Sequence, residues 1–483
     1  MSAAPEGFLN YVDAHKDAFI KRLADAIAIP SVSGDPSHRP RVKEMGEFVQ
    51  AQLDAVGVTT KLVELGTQII EGQKVDLPPV VLGSIGNDKN KKTVLIYAHY
   101  DVQPAEQADG WKSDPFKLNH DKTTDRLYGR GSTDDKGPLM AWINVLEAHK
   151  ASGTELPVNL KMCFEGMEES GSEGLDDLIK AEAGSGKFFH GVDCVCISDN
   201  YWLNDTTRGI SYFKVTISGP AHNLHSGLYG NCVHEPMTNL VQVFSKLVDS
   251  QGKILIPKIN ELVDKLTPDE RTYPSVDIDK AVGASIALSD DKVDVLMGRM
   301  RYPSLSIHTI ESSFDSTGVE SPTIIPATVV VRVRQILAPP GTQHDTVSLL
   351  LLLCSSTNPF VLREVVDSIV KRYIEYEFGL LNSKCKLTVE ALSGGKPYLT
   401  DPNHWNFVAA SNATQAIYGK EPNLTREGGS IPVTLTFADA LNVNVLLLPM
   451  GRGSDGAHST NEKLDLSNYI NGVSIPYMDP LDS

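Results

Sequence analysis

The fold is decided by Leu95-Ile96-Tyr97-Ala98-His99-Tyr100-Asp101, an apolar run that ends abruptly in His-x-Asp. A short apolar run of this kind predicts a buried strand. Residues two apart in an extended chain point the same way, so we expect His99 and Asp101 on one side of it. An imidazole beside a carboxylate suits a metal ligand whose ring is held by a partner. A hydrogen-bonded surface pair is the alternative interpretation of these two residues.

Four further segments repeat this pattern of an apolar run followed by a carboxylate or an imidazole. They supply Asp134 in a glycine-bracketed turn, Glu168 with Glu169, Asp199, and His458 in a glycine-rich loop. Ligands gather at the carboxyl ends of strands in an open parallel sheet, so we expect these side chains to converge with His99. Two imidazoles and three carboxylates suit a binuclear Zn²⁺ or Mn²⁺ site, with a separate glutamate as general base. Taken singly, each acidic segment is also typical of a solvated turn or a helix cap.

Helix-like and strand-like patterns alternate in the first 207 residues and return from residue 388 to the end. This alternation predicts an α/β catalytic domain, 1–207 with 388–483, whose mostly parallel central sheet is covered by helices. This alternation stops over 208–387, where short β-like runs and polar stretches predict an inserted α+β domain. A single helix is predicted over 9–27. The leucine run Leu349–Leu353 fits neither domain well, and a buried helix is one interpretation of it.

Composition excludes several classes of function. The chain has 44 basic and 61 acidic residues and a formal charge of −17, which disfavours a nucleic-acid partner. No apolar run approaches the roughly 18 residues that a membrane span needs. Six cysteines in 483 residues do not form a disulfide framework, and the N-terminal sequence has no secretory pattern. We therefore expect a cytoplasmic protein that binds neither nucleic acid nor membrane.

Longer blocks around these residues resemble the carnosinase-type branch of the binuclear metallopeptidases. The blocks are His99-Tyr-Asp101-Val-Gln-Pro, Gly131-Ser-Thr-Asp134-Asp135-Lys-Gly-Pro, Phe164-Glu-Gly-Met-Glu168-Glu169-Ser-Gly-Ser, Ser198-Asp199-Asn-Tyr-Trp, His225-Ser-Gly, Thr425-Arg-Glu-Gly-Gly-Ser430-Ile-Pro and Asp455-Gly-Ala-His458-Ser-x-Asn-Glu-Lys. The similarity covers nearly the whole chain. It implies a cytosolic metallodipeptidase that hydrolyses short peptides such as Cys-Gly.

The resemblance also implies two divalent ions in each subunit, either Zn²⁺ or Mn²⁺. The implied ligands are His99 and Asp199 on one ion, Glu169 and His458 on the other, and Asp134 on both. Glu168 would be the general base, and Asp101 would clamp the ring of His99. The family further implies a cis peptide bond between Asp134 and Asp135.

A homodimer is implied as well, with the inserted domain as lid and dimerisation surface. His225 of one subunit would stabilise the oxyanion of the substrate bound to the other. The dipeptide's carboxylate and backbone would be contacted by Thr323, Arg334, Gly429 and Ser430.

The sequence departs from the family pattern in four places, none of which touches a metal ligand. The segment 203–207 is short, 347–362 is extra, the spacing from Thr323 to Arg334 is reduced, and two prolines interrupt the C-terminal segment. These departures leave open a catalytically impaired homologue that acts by binding. An N-acyl amino-acid hydrolase of the same fold also stays open, because its metal ligands would be the same.

Overall fold

In a computed structural model the chain forms two compact units. The first comprises Met1–Asp205, Thr400–Leu424 and Pro432–Ser483, and the second comprises Thr206–Leu399 and Thr425–Ile431. The structure describes residues 5–70, 73–199, 201–202, 209–262, 279, 284–300, 302–309, 311–312, 324–325, 328–331, 348–353, 363–395, 401, 403–419, 422 and 433–474.

The described helices and strands alternate along the chain. The helices are α1 Glu6–Ala14, α2 Lys16–Ile27, α3 Arg39–Val56, α4 Lys136–Ser152, α5 Leu175–Glu182, α6 Ser226–Tyr229, α7 Pro236–Phe244, α8 Lys292–Met300, α9 Arg363–Leu380, α10 Trp405–Tyr418, α11 Val433–Leu441 and α12 Leu466–Ser474. The strands are β1 Thr59–Val63, β2 Thr67–Ile70, β3 Gln73–Asp76, β4 Val80–Ile85, β5 Thr93–His99, β6 Asn119–Asp121, β7 Arg126–Tyr128, β8 Asn159–Glu165, β9 Cys194–Ile197, β10 Tyr201–Trp202, β11 Gly209–Ser218, β12 Leu224–His225, β13 Ser304–Thr309, β14 Glu311–Ser312, β15 Ile324–Ile325, β16 Thr328–Val331, β17 Ser348–Leu353, β18 Lys386–Gly395, β19 Asn444–Leu447, β20 Gly451–Arg452 and β21 Lys463–Asp465. None of the described helices has both the length and the apolar character that crossing a bilayer requires.

The first unit contains a six-stranded sheet in the order β1-β4-β8-β5-β9-β19. Strands β8, β5, β9 and β19 are parallel to one another, whereas β4 is antiparallel to both β1 and β8. The predicted α/β fold with a mostly parallel central sheet is therefore confirmed. Helix α4 is almost wholly buried and packs against α1, α2 and α12 in one apolar core.

The parallel strands bring the predicted ligands to one edge of the sheet. His99 is the last residue of β5, and Glu165 is the last residue of β8, its register partner. Asp199 follows the end of β9, which pairs with the other side of β5. The carboxyl ends of these three strands are therefore adjacent, as expected for a ligand site in an open sheet.

The predicted helix over 9–27 is wrong, because the chain forms two helices there. His15 separates them with a backbone conformation of φ −112° and ψ 17°. Its N–H donates to the carbonyls of Tyr11 and Val12, and its ring stacks on Tyr11 with centroids 3.7 Å apart. The apolar periodicity continues through the break, so periodicity alone did not reveal it.

The second unit contains an antiparallel sheet in the order β13-β17-β11-β16-β14, with β18 also paired to β11. The leucine run Leu349–Leu353 lies in β17, so its interpretation as a buried helix is wrong. β17 pairs with β13 on one edge and β11 on the other. Periodicity does not separate a short unbroken apolar run in a strand from one in a buried helix, so the pairing decides between them.

The predicted domain boundary at residue 388 falls inside β18. This strand pairs with β11 through Lys386 to Gly395, and the compact units divide between Leu399 and Thr400 instead. The roles of the second unit as lid and dimerisation surface remain predictions, and the departures at 203–207 and 354–362 lie outside the described residues.

Gly137 at the start of α4 offers a test of this packing. A Cβ atom on Gly137 would lie 2.0 Å from the backbone oxygen of Ser132, in the loop that carries Asp134. We expect Gly137→Ala to lower the free energy of unfolding by about 1–3 kcal/mol, as overpacking does. Gly7→Ala is the matched control, because Gly7 also lies at the start of a helix and a Cβ there meets nothing within 4 Å. Urea unfolding of the metal-free variants measures the difference, and equal stabilities would contradict the packing described.

Candidate metal centre

The structure brings all five predicted metal ligands together in the first unit. They form two groups, His99 with Asp134 and Asp199, and Asp134 with Glu169 and His458. Within each group, one potential ligand atom from each residue lies within 4.8 Å of the others. Asp134 belongs to both groups, and the other residues belong to one each.

Asp134 directs one carboxylate oxygen to each group. Its Oδ1 lies 3.1 Å from His99 Nε2, and its Oδ2 lies 3.1 Å from His458 Nε2. The Asp134–Asp135 peptide bond is cis, as the family resemblance implies. Asp135 Oδ2 accepts a hydrogen bond of 3.1 Å from the backbone N–H of His99, which joins this loop to the end of β5.

His99 is fully buried and its ring has a defined orientation. Nδ1 lies 3.1 Å from the backbone oxygen of Asp101 and 3.3 Å from its Oδ1. Nε2 consequently faces Asp134 and lies 3.8 Å from Asp199 Oδ2. A partner on Nδ1 holds the proton there and leaves Nε2 available as a ligand. This is the geometry that the predicted clamp requires.

Asp101 has a second set of contacts that the sequence did not reveal. Its Oδ1 accepts the backbone N–H of Glu168 at 3.2 Å, and its Oδ2 accepts that of Glu169 at 3.1 Å. The same carboxylate that orients His99 therefore also fixes the short 3₁₀ turn Glu168–Ser170. One buried side chain therefore links a candidate metal ligand to the candidate base.

Gln103 is a second residue that sequence reasoning missed. Its Nε2 donates a hydrogen bond of 2.7 Å to Glu169 Oε2, which also lies 2.9 Å from His458 Nε2. The alternation His99, Asp101, Gln103 was the available signal, because residues two apart in an extended segment point the same way. Glu462 was also missed, although it stands in the motif block that contains His458; its carboxylate accepts backbone N–H groups of the Asp134 loop.

The carboxylates and imidazoles crowded into this site change one another's pKa values. Burial, followed by the charge of Asp134, raises the pKa of Asp199 to about 7. Burial also raises the pKa of Glu168 well above its usual value, which the nearby imidazole of His99 only partly offsets. Burial alone would lower the pKa of His99, but hydrogen bonds to Asp101 and Asp134 outweigh it and raise that pKa. Protons on these side chains therefore compensate negative charge that bound cations would compensate instead.

One of the predicted substrate contacts, His225, is among the residues that the structure describes. His225 belongs to the second unit, is exposed, and caps α6, with its Nδ1 accepting a hydrogen bond of 3.0 Å from the Gly227 N–H. The remaining predicted substrate contacts, Thr323, Arg334, Gly429 and Ser430, lie outside the described residues. Their roles stay predictions from the resemblance.

Metal binding to this site should release protons. A bound imidazole must be neutral and a bound carboxylate ionised, and the pKa values of His99 and Asp199 are both raised in the metal-free protein. Lowering the pH protonates both residues further, so the apparent affinity should fall about tenfold per pH unit for each proton released. Calorimetric titration with Zn²⁺ in two buffers of different protonation enthalpy measures that number. Identical heats in both buffers would mean that no net proton leaves and would contradict the electrostatics described.

Comparison with known proteins relates the chain to peptidases. The sequence profile described as "Peptidase family M20/M25/M40" matches residues 95–477. The Cys-Gly metallodipeptidase dug1 of Schizosaccharomyces pombe is 47% identical over 96% of this chain and 95% of its own length. The Beta-Ala-His dipeptidase of Homo sapiens is 37% identical over 97% of this chain and 91% of its own length. The solved structure of the di-peptidase Dug1p from Saccharomyces cerevisiae is 45% identical, covers 99% of both chains and superposes with a TM-score of 0.87.

Proposed function

The chain belongs to peptidase family M20/M25/M40, and from this premise we propose that it is a cytosolic metallodipeptidase that hydrolyses Cys-Gly and similar dipeptides with two divalent cations. One observation carries the proposal: the two oxygens of Asp134 face two separate groups of metal-ligating side chains. The substrate class is supported by the fungal and human relatives, both of which are dipeptidases.

The residues present fit a pair of divalent ions. The proposed ligands are His99 and Asp199 for one ion, Glu169 and His458 for the other, and Asp134 for both. Three carboxylates are offset by two doubly charged cations, and the mixture of nitrogen and oxygen donors accepts either Zn²⁺ or Mn²⁺. When bound, such ions polarise the scissile carbonyl and lower the pKa of a water molecule.

Glu168 is proposed as the general base. It adjoins Glu169, a proposed ligand, and Asp101 holds the backbone of both residues. Burial raises the pKa of this glutamate above its usual value, which is the direction that favours accepting a proton. It would take the proton of the attacking water and deliver it to the nitrogen of the departing amine. The Asp101 contacts keep this side chain beside the ligands during both transfers.

His225 is proposed to act on the substrate bound by a partner subunit. Its Nδ1 accepts a hydrogen bond from Gly227, so the proton of the neutral ring is on Nε2. The exposed ring can therefore donate a hydrogen bond to an oxygen that becomes negative as water adds to the carbonyl. A homodimer would bring this donor to the site of the other copy.

The cytosolic setting is supported by cysteine usage. The five cysteines that the structure describes are all free thiols: Cys163, Cys194, Cys196 and Cys385 are buried and Cys232 is exposed. Free thiols are ordinary in a reducing compartment and uncommon in secreted proteins.

Replacing the proposed base tests the chemistry and the substrate together. Glu168→Gln keeps the shape of the side chain but cannot accept the proton of water. We expect the rate of Cys-Gly hydrolysis to fall by about 10²–10⁴-fold, with metal content unchanged. Rapid turnover by this variant would rule out the assigned role.

The wild-type protein should prefer free dipeptides to N-acetyl amino acids in the same assay. The reverse preference would identify an N-acyl amino-acid hydrolase, and no turnover of either would identify an impaired homologue.

Mixing two inactive variants tests the action of His225 across a dimer. His225→Ala supplies an intact Glu168, and Glu168→Gln supplies an intact His225. If His225 serves the partner's site, each mixed dimer contains one complete site and one doubly defective site. Random exchange of subunits should then restore about a quarter of wild-type activity. Native mass spectrometry of size-labelled chains verifies that subunits have exchanged. If activity does not recover after verified exchange, His225 does not act in this way.

A further inference from the structure

We propose that Glu462 is a positioning residue, which holds the loop of Asp134 in place and so sets the affinity for both cations at once. This inference rests on the proposed two-ion function. Glu462 lies between His458 and β21 and is fully buried. It is not among the residues predicted to touch metal or substrate, so its burial needs another reason.

Four donors converge on the two oxygens of Glu462, and all four belong to the Asp134 loop. Oε2 accepts from Arg130 Nη1 at 2.7 Å and from the Gly131 N–H at 3.0 Å. Oε1 accepts from the backbone N–H groups of Thr133 at 2.9 Å and Asp134 at 3.1 Å. The loop is thus wrapped around a single side chain.

These contacts require a carboxylate. Each partner donates a hydrogen bond, and successive backbone N–H groups that point inward form a concave nest for an anion. Here the anion is a side chain of the same protein. In an amide of the same size, an NH₂ group would replace one of the two oxygens. The two donors that face this group would then have no acceptor and would lose their hydrogen bonds.

Glu462 also joins the two chain segments that supply the central ligands. Its backbone oxygen accepts the Gly129 N–H at 3.0 Å, so both ends of the residue contact the loop before α4. Asp455, on the same segment as His458, accepts from Thr133 Oγ1 at 3.5 Å. Without the inward-facing carboxylate, the loop loses the contacts that fix the Asp134 backbone.

The effect of Glu462 should extend to both ions because Asp134 is shared. Displacing its backbone moves the oxygen that faces His99 and the oxygen that faces His458 together. Gln103 provides the contrast, because its amide contacts Glu169 in only one of the two groups. Loss of the Glu462 contacts should weaken the binding of both ions, and loss of the Gln103 contact should weaken the binding of one.

The experiment compares Zn²⁺ dissociation constants of the purified full-length chain by competition with a chelator. The variants are Glu462→Gln, Glu462→Asp, Gln103→Met and the control Asp193→Asn. Asp193 also accepts a backbone N–H, that of Thr93 at 2.8 Å, but it does so at the opposite end of the sheet. Circular dichroism and thermal unfolding of the metal-free variants report separately on folding.

Glu462→Gln should weaken both ions by about 10–100-fold, the usual cost of losing an outer partner of a metal ligand. Glu462→Asp keeps the carboxylate and should lie between Gln and wild type, whereas a purely space-filling role would favour Gln over Asp. Asp193→Asn should bind as wild type does, and Gln103→Met should weaken one ion only.

Unchanged affinity in Glu462→Gln, or loss of a single ion, overturns the inference. Should Glu462→Gln fail to fold, Glu462→Asp decides: weaker binding of both ions supports the inference, and wild-type binding or loss of one ion overturns it. Fewer than two ions in the wild-type protein would instead contradict the proposed function, so the two failures are distinguishable.

Discussion

A single buried carboxylate that faces two imidazoles at once, that of Asp134, constrains how the first unit is built. Removing a carboxylate from water costs several kcal/mol unless it is paired or hydrogen-bonded. In this chain the pairing comes from His99 at the end of β5 and from His458 in a loop more than 300 residues later. The parallel sheet positions His99. The carboxylate of Glu462 accepts backbone N–H groups of the Asp134 loop and so keeps the segment of His458 close to it.

The principal site could be predicted from the sequence because two simple rules agreed. Apolar runs ending in His99, Glu168 and Asp199 marked strand ends, and parallel pairing puts such ends together. The motif blocks predicted membership of the binuclear metallopeptidases, which the comparisons confirm at the level of the family. The cis bond after Asp134 came from the resemblance alone, since neither periodicity nor spacing bears on it.

The features that could not be predicted depend on side-chain contacts between distant segments. The sequence predicts that Asp101 clamps His99, and its two oxygens also accept the N–H groups of Glu168 and Glu169. Glu462 stands in the motif block that contains His458, but neither periodicity nor spacing indicates that its carboxylate turns inward to the Asp134 loop. The leucine run of β17 was ambiguous because periodicity does not separate a short apolar strand from a buried helix, and only the pairing with β11 and β13 does so.

Anomalous diffraction from crystals grown with Zn²⁺ tests the central claim most directly, because it locates the ions without reference to activity. Two peaks about 3.5–4 Å apart are expected, one beside each oxygen of the Asp134 carboxylate. One peak should adjoin His99 and Asp199, and the other Glu169 and His458. A single peak, or two peaks of which only one touches Asp134, would contradict the proposal that this residue is shared between two cations.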